Sequence, residues 1–277
     1  MRGILTARDG VVVEIGGMPI LLRTGDESFR RILQDRYSGF TSLNSVPEID
    51  FEISVHDPAT ELDPDCDLEV QRHDDRWILR RGDFIAEWQS TSGRGRVRQS
   101  QNPYAIDSVL RIIHSLILVS QGGFLLHAAS AIRGGQAFLF AGISGAGKTT
   151  ISRLAPSDAI LLTDEISYVR RRPDGYCACG TPFSGELAKV GENVSAPIAV
   201  LFLLAKGQQN CVEPVEQADA VCFLLRNILF FAQDQELVKL VFQSALDFVN
   251  AVPVRRLVFV PDERVWDLIV RAGEILP

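Results

Sequence analysis

No apolar run in this chain is long enough to cross a bilayer; the longest, such as residues 199–205, fall far short of the roughly 20 residues that a spanning helix needs. Residues 1–15 are broken by Arg8 and Asp9 and lack the apolar centre of a signal peptide. Cysteine is scarce as well. The five, at positions 66, 177, 179, 211 and 222, are odd in number, with no CxxC pair and no Cys/His cluster at zinc-ligand spacing. A disulfide framework and a zinc ribbon are thereby excluded, and Cys177 and Cys179 read as small core residues on one face of a strand. Reduced thiols and a soluble, cytoplasmic protein without membrane contact are expected. Positive charge is also in short supply. Lys+Arg 28 against Asp+Glu 35 gives a formal charge of −7, the wrong sign for a protein that coats nucleic acid, so no nucleic-acid partner is expected. No internal repeat or low-complexity segment is visible.

What is present suffices for a sizeable core. The 277 residues are 46% hydrophobic and 23% charged, an ordinary globular balance for one or two domains. The first part reads as a small mixed α+β domain over residues 1–98. Gly16-Gly17 joins two short apolar segments as a hairpin, residues 28–37 carry Phe29, Ile32 and Leu33 at helical spacing, and Phe51, Ile53 and Val55 alternate with polar neighbours. Residues 58–67 form an acidic loop, and three short strands follow over 68–70, 77–79 and 84–88. Residues 90–102 have Val97 as their one apolar side chain and read as a linker, with Arg94, Arg96 and Arg98 as a basic stripe on it. That stripe is either solvated surface or a docking point for an acidic peptide or protein.

A second domain is expected over residues 99–277. Pro103 opens a helix with an apolar stripe from Ile106 to Ile117. Strands are expected at 124–131, 136–140, 159–162, 166–170, 176–179, 199–204 and 256–260, with helices at 215–231, 235–249 and 263–275. The fold class is α/β, a mixed sheet flanked by helices.

Gly142-Ile143-Ser144-Gly145-Ala146-Gly147-Lys148-Thr149 matches GxxxxGK[ST] at each required position, between an apolar strand and a helix. Its glycines let successive backbone N–H groups converge on one anion, and the helix start adds positive dipole. Gly142, Ser144, Gly145, Ala146, Gly147, Lys148, Thr149 and Thr150 are thus the expected nucleotide-binding residues, with Lys148 reaching the β- and γ-phosphates and the Thr149 hydroxyl ligating Mg²⁺. Soon afterwards an apolar strand ends in Asp164-Glu165. One of these carboxylates can hold Mg²⁺, and the other can accept a proton from an attacking hydroxyl. No LSGGQ-like transporter signature occurs.

Leu126-His127-Ala128-Ala129, the loop at 142–150, Leu162-Thr163-Asp164-Glu165 and Gly180-Thr181-Pro182-Phe183-Ser184-Gly185-Glu186 together resemble the HPr kinase/phosphorylase family over roughly residues 103–262. ATP-dependent phosphoenolpyruvate carboxykinase resembles the chain more distantly, through the loop and the early acidic pair. The resemblance implies a P-loop kinase core of that type, with His127 as a site residue and Glu165 as the base. It also implies transfer of the γ-phosphoryl group of Mg-ATP to a serine hydroxyl in a peptide or small protein, and homo-oligomeric assembly. The family carries Asp-Asp where this chain has Asp164-Glu165. For the family's glutamate that supplies a further Mg²⁺ carboxylate, Glu186 is the nearest equivalent.

The expected function is therefore an ATP-dependent serine kinase, with catalytic residues Glu165, Asp164, His127 and Lys148 and metal-binding residues Thr149, Asp164 and Glu186. Two alternatives come from other classes: a nucleotide-gated binding module without efficient transfer, and a kinase of a small hydroxyl compound such as free serine. The N-terminal domain is expected to recognise the acceptor or another partner, or to buttress the kinase.

Overall fold

The computed structural model describes residues 10–56, 67–187 and 189–274. The N-terminal segment 1–9, most of the acidic loop and Cys66 lie outside the described residues. The chain divides into two compact units: the described residues up to His114 with Phe231–Gln235, and Ser115–Phe230 with the described residues from Glu236 onward.

In the first unit, β1 (Gly10–Ile15) and β2 (Met18–Thr24) form the hairpin expected at Gly16-Gly17, and α1 (Glu27–Arg36) follows. Asp26 caps α1 by accepting the backbone N–H groups of Ser28 and Phe29, satisfying two donors that a helix start leaves unpaired. β3 (Ile49–Val55), β4 (Glu69–His73), β5 (Arg76–Arg81), β6 (Phe84–Gln89) and β7 (Arg94–Gln99) complete a seven-stranded sheet in the order β1-β2-β3-β7-β6-β5-β4. Its inner face buries Phe51, Leu79, Phe84 and Val97, and α1 adds Phe29 and Leu33 to the core.

The linker expected at 90–102 is overturned in its middle. Residues 94–99 form β7, which pairs in parallel with β3 and antiparallel with β6 and so lies at the centre of the sheet. The alternation was hidden because the inward positions are Gly95, Val97 and Gln99. A Cβ on Gly95 would lie 2.2 Å from a Phe51 ring carbon, so only glycine fits beneath that ring.

α2 (Pro103–Ser120) runs through the division between the units. No uninterrupted apolar run marks it in the sequence, but by length and overall composition it could cross a membrane; 67% of that stretch is buried within the protein.

In the second unit, β8 (Phe124–Arg133) and β9 (Gln136–Ala141) form a hairpin, and α3 (Lys148–Arg153) follows the glycine-rich loop. β10 (Ile160–Thr163), β11 (Ile166–Arg172), β12 (Gly175–Cys179) and β13 (Ser195–Lys206) come next. β14 (Cys211–Pro214), which sequence periodicity does not reveal, pairs antiparallel with β16 (Val254–Phe259). α4 (Gln217–Asn227) is shorter than the expected helix, because residues 228–229 leave it to pair with β8 as β15 (Ile228–Leu229). α5 (Gln235–Ala251) and α6 (Val265–Glu274) complete the elements.

The sheet is mixed: β9, β13 and β16 run parallel, while β8, β10, β11 and β12 join antiparallel. On one face Phe124, Leu126, Leu201 and Phe248 bring in α4 and α5; on the other Phe138, Phe140, Phe202 and Trp266 bring in α3 and α6. The result is the expected α/β class, with a helical layer on each face. Because β9, β13 and β16 all point the same way, their carboxyl ends gather at one edge, where α/β proteins place ligands.

Candidate functional site

The loop at 142–147 leaves the carboxyl end of β9 and enters α3. Gly147 has φ +112°, a conformation that L side chains rarely adopt, and a Cβ there would lie 2.6 Å from the Phe259 ring. Phe259, at the end of β16, is therefore the floor of the loop. Across the same layer the Trp266 indole N–H donates to the Ile151 carbonyl at 3.2 Å, tying α6 to α3. α3 is six residues long, so its dipole is weak, and the positive charge beside the loop is that of Lys148.

Lys148 Nζ donates to the Gly142 carbonyl at 2.9 Å, folding the ammonium back over the loop. Partial burial holds its pKa below the usual lysine value, with the Glu186 and Glu165 carboxylates pulling the other way. The Thr149 hydroxyl donates to Glu186 Oε2 at 3.0 Å. Ser144 and Gly145 are exposed, Ala146 is buried, and Thr150 lies within the first turn of α3.

The acidic pair occupies the tight turn from β10 to β11. Thr163 shapes it: its Oγ1 accepts the N–H groups of Glu165 at 3.2 Å and Ile166 at 3.1 Å and donates to the Phe183 carbonyl at 3.4 Å. Asp164 is 4% exposed; its Oδ1 accepts Gly185 N–H and its Oδ2 accepts Leu187 N–H, both at 2.8 Å. Both oxygens are thus engaged in holding the turn that presents Glu186. Glu165 is half-buried beside it. His127 sits on β8 directly across from Ile166. Burial and the Lys148 charge lower its pKa, while Glu165 opposes the shift, so the imidazole is neutral near pH 7.

The residues singled out from sequence therefore converge. Lys148, Thr149, Glu165, Glu186 and His127 act on one another through hydrogen bonds or charge, and Asp164 reaches the group through the turn at 185–187. Sequence reasoning missed Thr163 as the shaper of the turn, Asp164 as the anchor of the Glu186 turn, and Phe259 as the floor. The first has a local signal, a threonine two residues before Glu165; the other two are tertiary contacts without one. Cys177 and Cys179 are both buried on β12, as expected of core residues, and Arg172 Nε donates to Cys177 Sγ at 3.1 Å.

Among the described residues, no group of three or more His, Cys, Asp and Glu side chains is arranged to hold a metal ion. The Thr149 hydroxyl facing the Glu186 carboxylate is a hard-oxygen pair of the kind that suits Mg²⁺, which takes one or two protein ligands and fills its octahedron with phosphate oxygens and water. The donor set therefore fits that cation.

Fold and site define an α/β protein with helices on both faces of a mixed sheet and a glycine-rich loop beside a carboxylate turn. The chain belongs to the family described as SynChlorMet cassette protein ScmC, whose model matches residues 99–272. No curated protein matches the chain.

Proposed function

We propose that the second unit is a P-loop kinase core of the HPr kinase/phosphoenolpyruvate carboxykinase type, which transfers the γ-phosphoryl group of Mg-ATP to a hydroxyl, that of a serine in a peptide or small protein. The observation that carries this reading is the meeting of Lys148, Thr149 and Glu186 at one loop with Glu165 on the adjoining turn. Lys148 would release the Gly142 carbonyl to bind phosphate oxygens, and Thr149 and Glu186 would hold Mg²⁺. That cation would supply charge neutralisation between the β- and γ-phosphates. Glu165 would take the acceptor hydroxyl proton, and neutral His127 would contribute a hydrogen bond without adding positive charge.

The test offers γ-labelled ATP to a panel of serine peptides, small proteins and free serine, with mass mapping of any product. Transfer by the wild-type chain and its loss by about a thousandfold in a folded Lys148→Ala variant are expected. Transfer at the wild-type rate by that variant would overturn the mechanism. A second reading, a nucleotide-gated binding module, follows from Glu165, whose carboxylate stands one methylene beyond that of the aspartate in the family the chain resembles. Tight nucleotide binding without turnover on any acceptor would select it.

A further inference from the structure

We propose that the outer face of the seven-stranded sheet docks an acidic, extended segment of a partner protein. Arg94, Arg96 and Arg98 all project from the outer face of β7, opposite the buried Val97, and all three are exposed. On an extended strand, side chains that share a face recur roughly every 6.6 Å. Arg80 joins them from β5: it pairs with Ile85 on β6, which pairs with Arg98 on β7, so the two arginines stand about 10 Å apart with a half-buried isoleucine between.

Four carboxylates share this face: Asp50 pairs with Arg23 at 2.6 Å, Glu52 lies 3.6 Å from Arg96, Glu87 lies 4.0 Å from Arg76, and Glu69 stands across from Arg80 on β4. Arg80, Arg94 and Arg98 have no carboxylate within ion-pair distance among the described residues. Arginine's planar fork suits bidentate carboxylate recognition, and a basic face on a chain of net charge −7 attracts acidic partners that the rest of the molecule repels.

β7 has a partner strand on each side, so the occupant cannot add as a strand and must lie across the face through its side chains. Acidic residues at positions i, i+2 and i+4 of an extended segment would match Arg94, Arg96 and Arg98 in spacing and charge. A single-stranded nucleic acid fits less well. The large aromatics Trp77, Phe84 and Trp88 are buried on the inner face, which leaves no stacking platform among the described residues of the outer one.

The test is fluorescence anisotropy on the full chain, at low and physiological salt, with a labelled peptide of about nine residues carrying Glu at alternate positions. The comparison probes are the same peptide with Lys in place of Glu and an oligouridine of equal charge. Saturable binding of the Glu peptide alone is expected, weakened by salt, by about tenfold in Arg94→Gln/Arg98→Gln, and further in Arg94→Glu/Arg98→Glu. Arg31→Glu, an exposed change on α1, should bind as wild type. No saturable binding, equal binding by the Arg94/Arg98 variants, or tighter binding of oligouridine would overturn the proposal. None of these outcomes depends on the kinase reading.

Discussion

Thr149 and Glu186, 37 residues apart, share a hydrogen bond of 3.0 Å in which the hydroxyl donates to the carboxylate. Asp164 makes that meeting possible, because its two oxygens take the N–H groups on either side of Glu186 and fix the turn. The anchor thus acts through Glu186. On the proposed nucleotide-binding function, Asp164→Ala and Glu186→Gln should each weaken Mn²⁺-dependent nucleotide binding by about tenfold, and the double variant by no more than the worse single one. Electron paramagnetic resonance of bound Mn²⁺ measures this, with thermal unfolding as the control for folding. Additive losses would place the Asp164 carboxylate on the metal itself.

Gly185 sits where any side chain would crowd the acidic pair. A Cβ at that position would stand 2.9 Å from Glu165 Cβ and 3.1 Å from Asp164 Oδ2. Gly185→Ala should displace the turn at a cost of about 1–3 kcal/mol, loosening the Glu186 contact while the rest of the sheet holds. Amide hydrogen exchange over residues 185–187 should accelerate; unchanged exchange would show that the turn has room.

His114, fully buried on α2, has its pKa pushed down to about 3 by desolvation. The unfolded chain therefore binds this proton first as pH falls below the ordinary value of about 6.5, and stability is lost from there downward. Between pH 7 and pH 5 the group should cost roughly 2 kcal/mol. Urea unfolding across that range should show a slope that His114→Gln reduces by that amount; equal slopes would mean the imidazole stays solvated.

Asp107 is 2% exposed, and its carboxylate takes the Arg36 guanidinium and the hydroxyl of fully buried Tyr37. Arg36 and Tyr37 are both held above their ordinary pKa values, Arg36 chiefly by its bond to Asp107 and Tyr37 chiefly by burial. Asp107→Ala leaves a half-buried cation and a buried phenol without this partner and should destabilise the protein by about 3–5 kcal/mol. Thermal unfolding reads the effect; a loss under about 1 kcal/mol would mean water replaces the carboxylate.

The loop at 142–149 was legible because its requirements are local. Gly147 must adopt a positive φ, and Lys148 and Thr149 must follow immediately. The acidic pair was legible as well, since a short apolar strand ending in Thr163-Asp164-Glu165 leaves its polar residues at a turn. The division of labour within the pair was not legible, because it depends on amides more than 20 residues away. β7 was misread for a related reason. Its outer positions are arginines open to solvent, and its inner glycine is dictated by Phe51 on the neighbouring strand.

By itself the sequence determined the α/β class, the glycine-rich loop and the residue types around it, because strand periodicity, turn glycines and the Lys-Thr pair act over a few neighbours. Tertiary structure alone decided that Asp164 anchors, that Glu186 faces Thr149, and that three linker-like arginines line the middle of a sheet. Hydrogen bonds and close packing between distant segments depend on where the chain returns, and local pattern carries no record of that return.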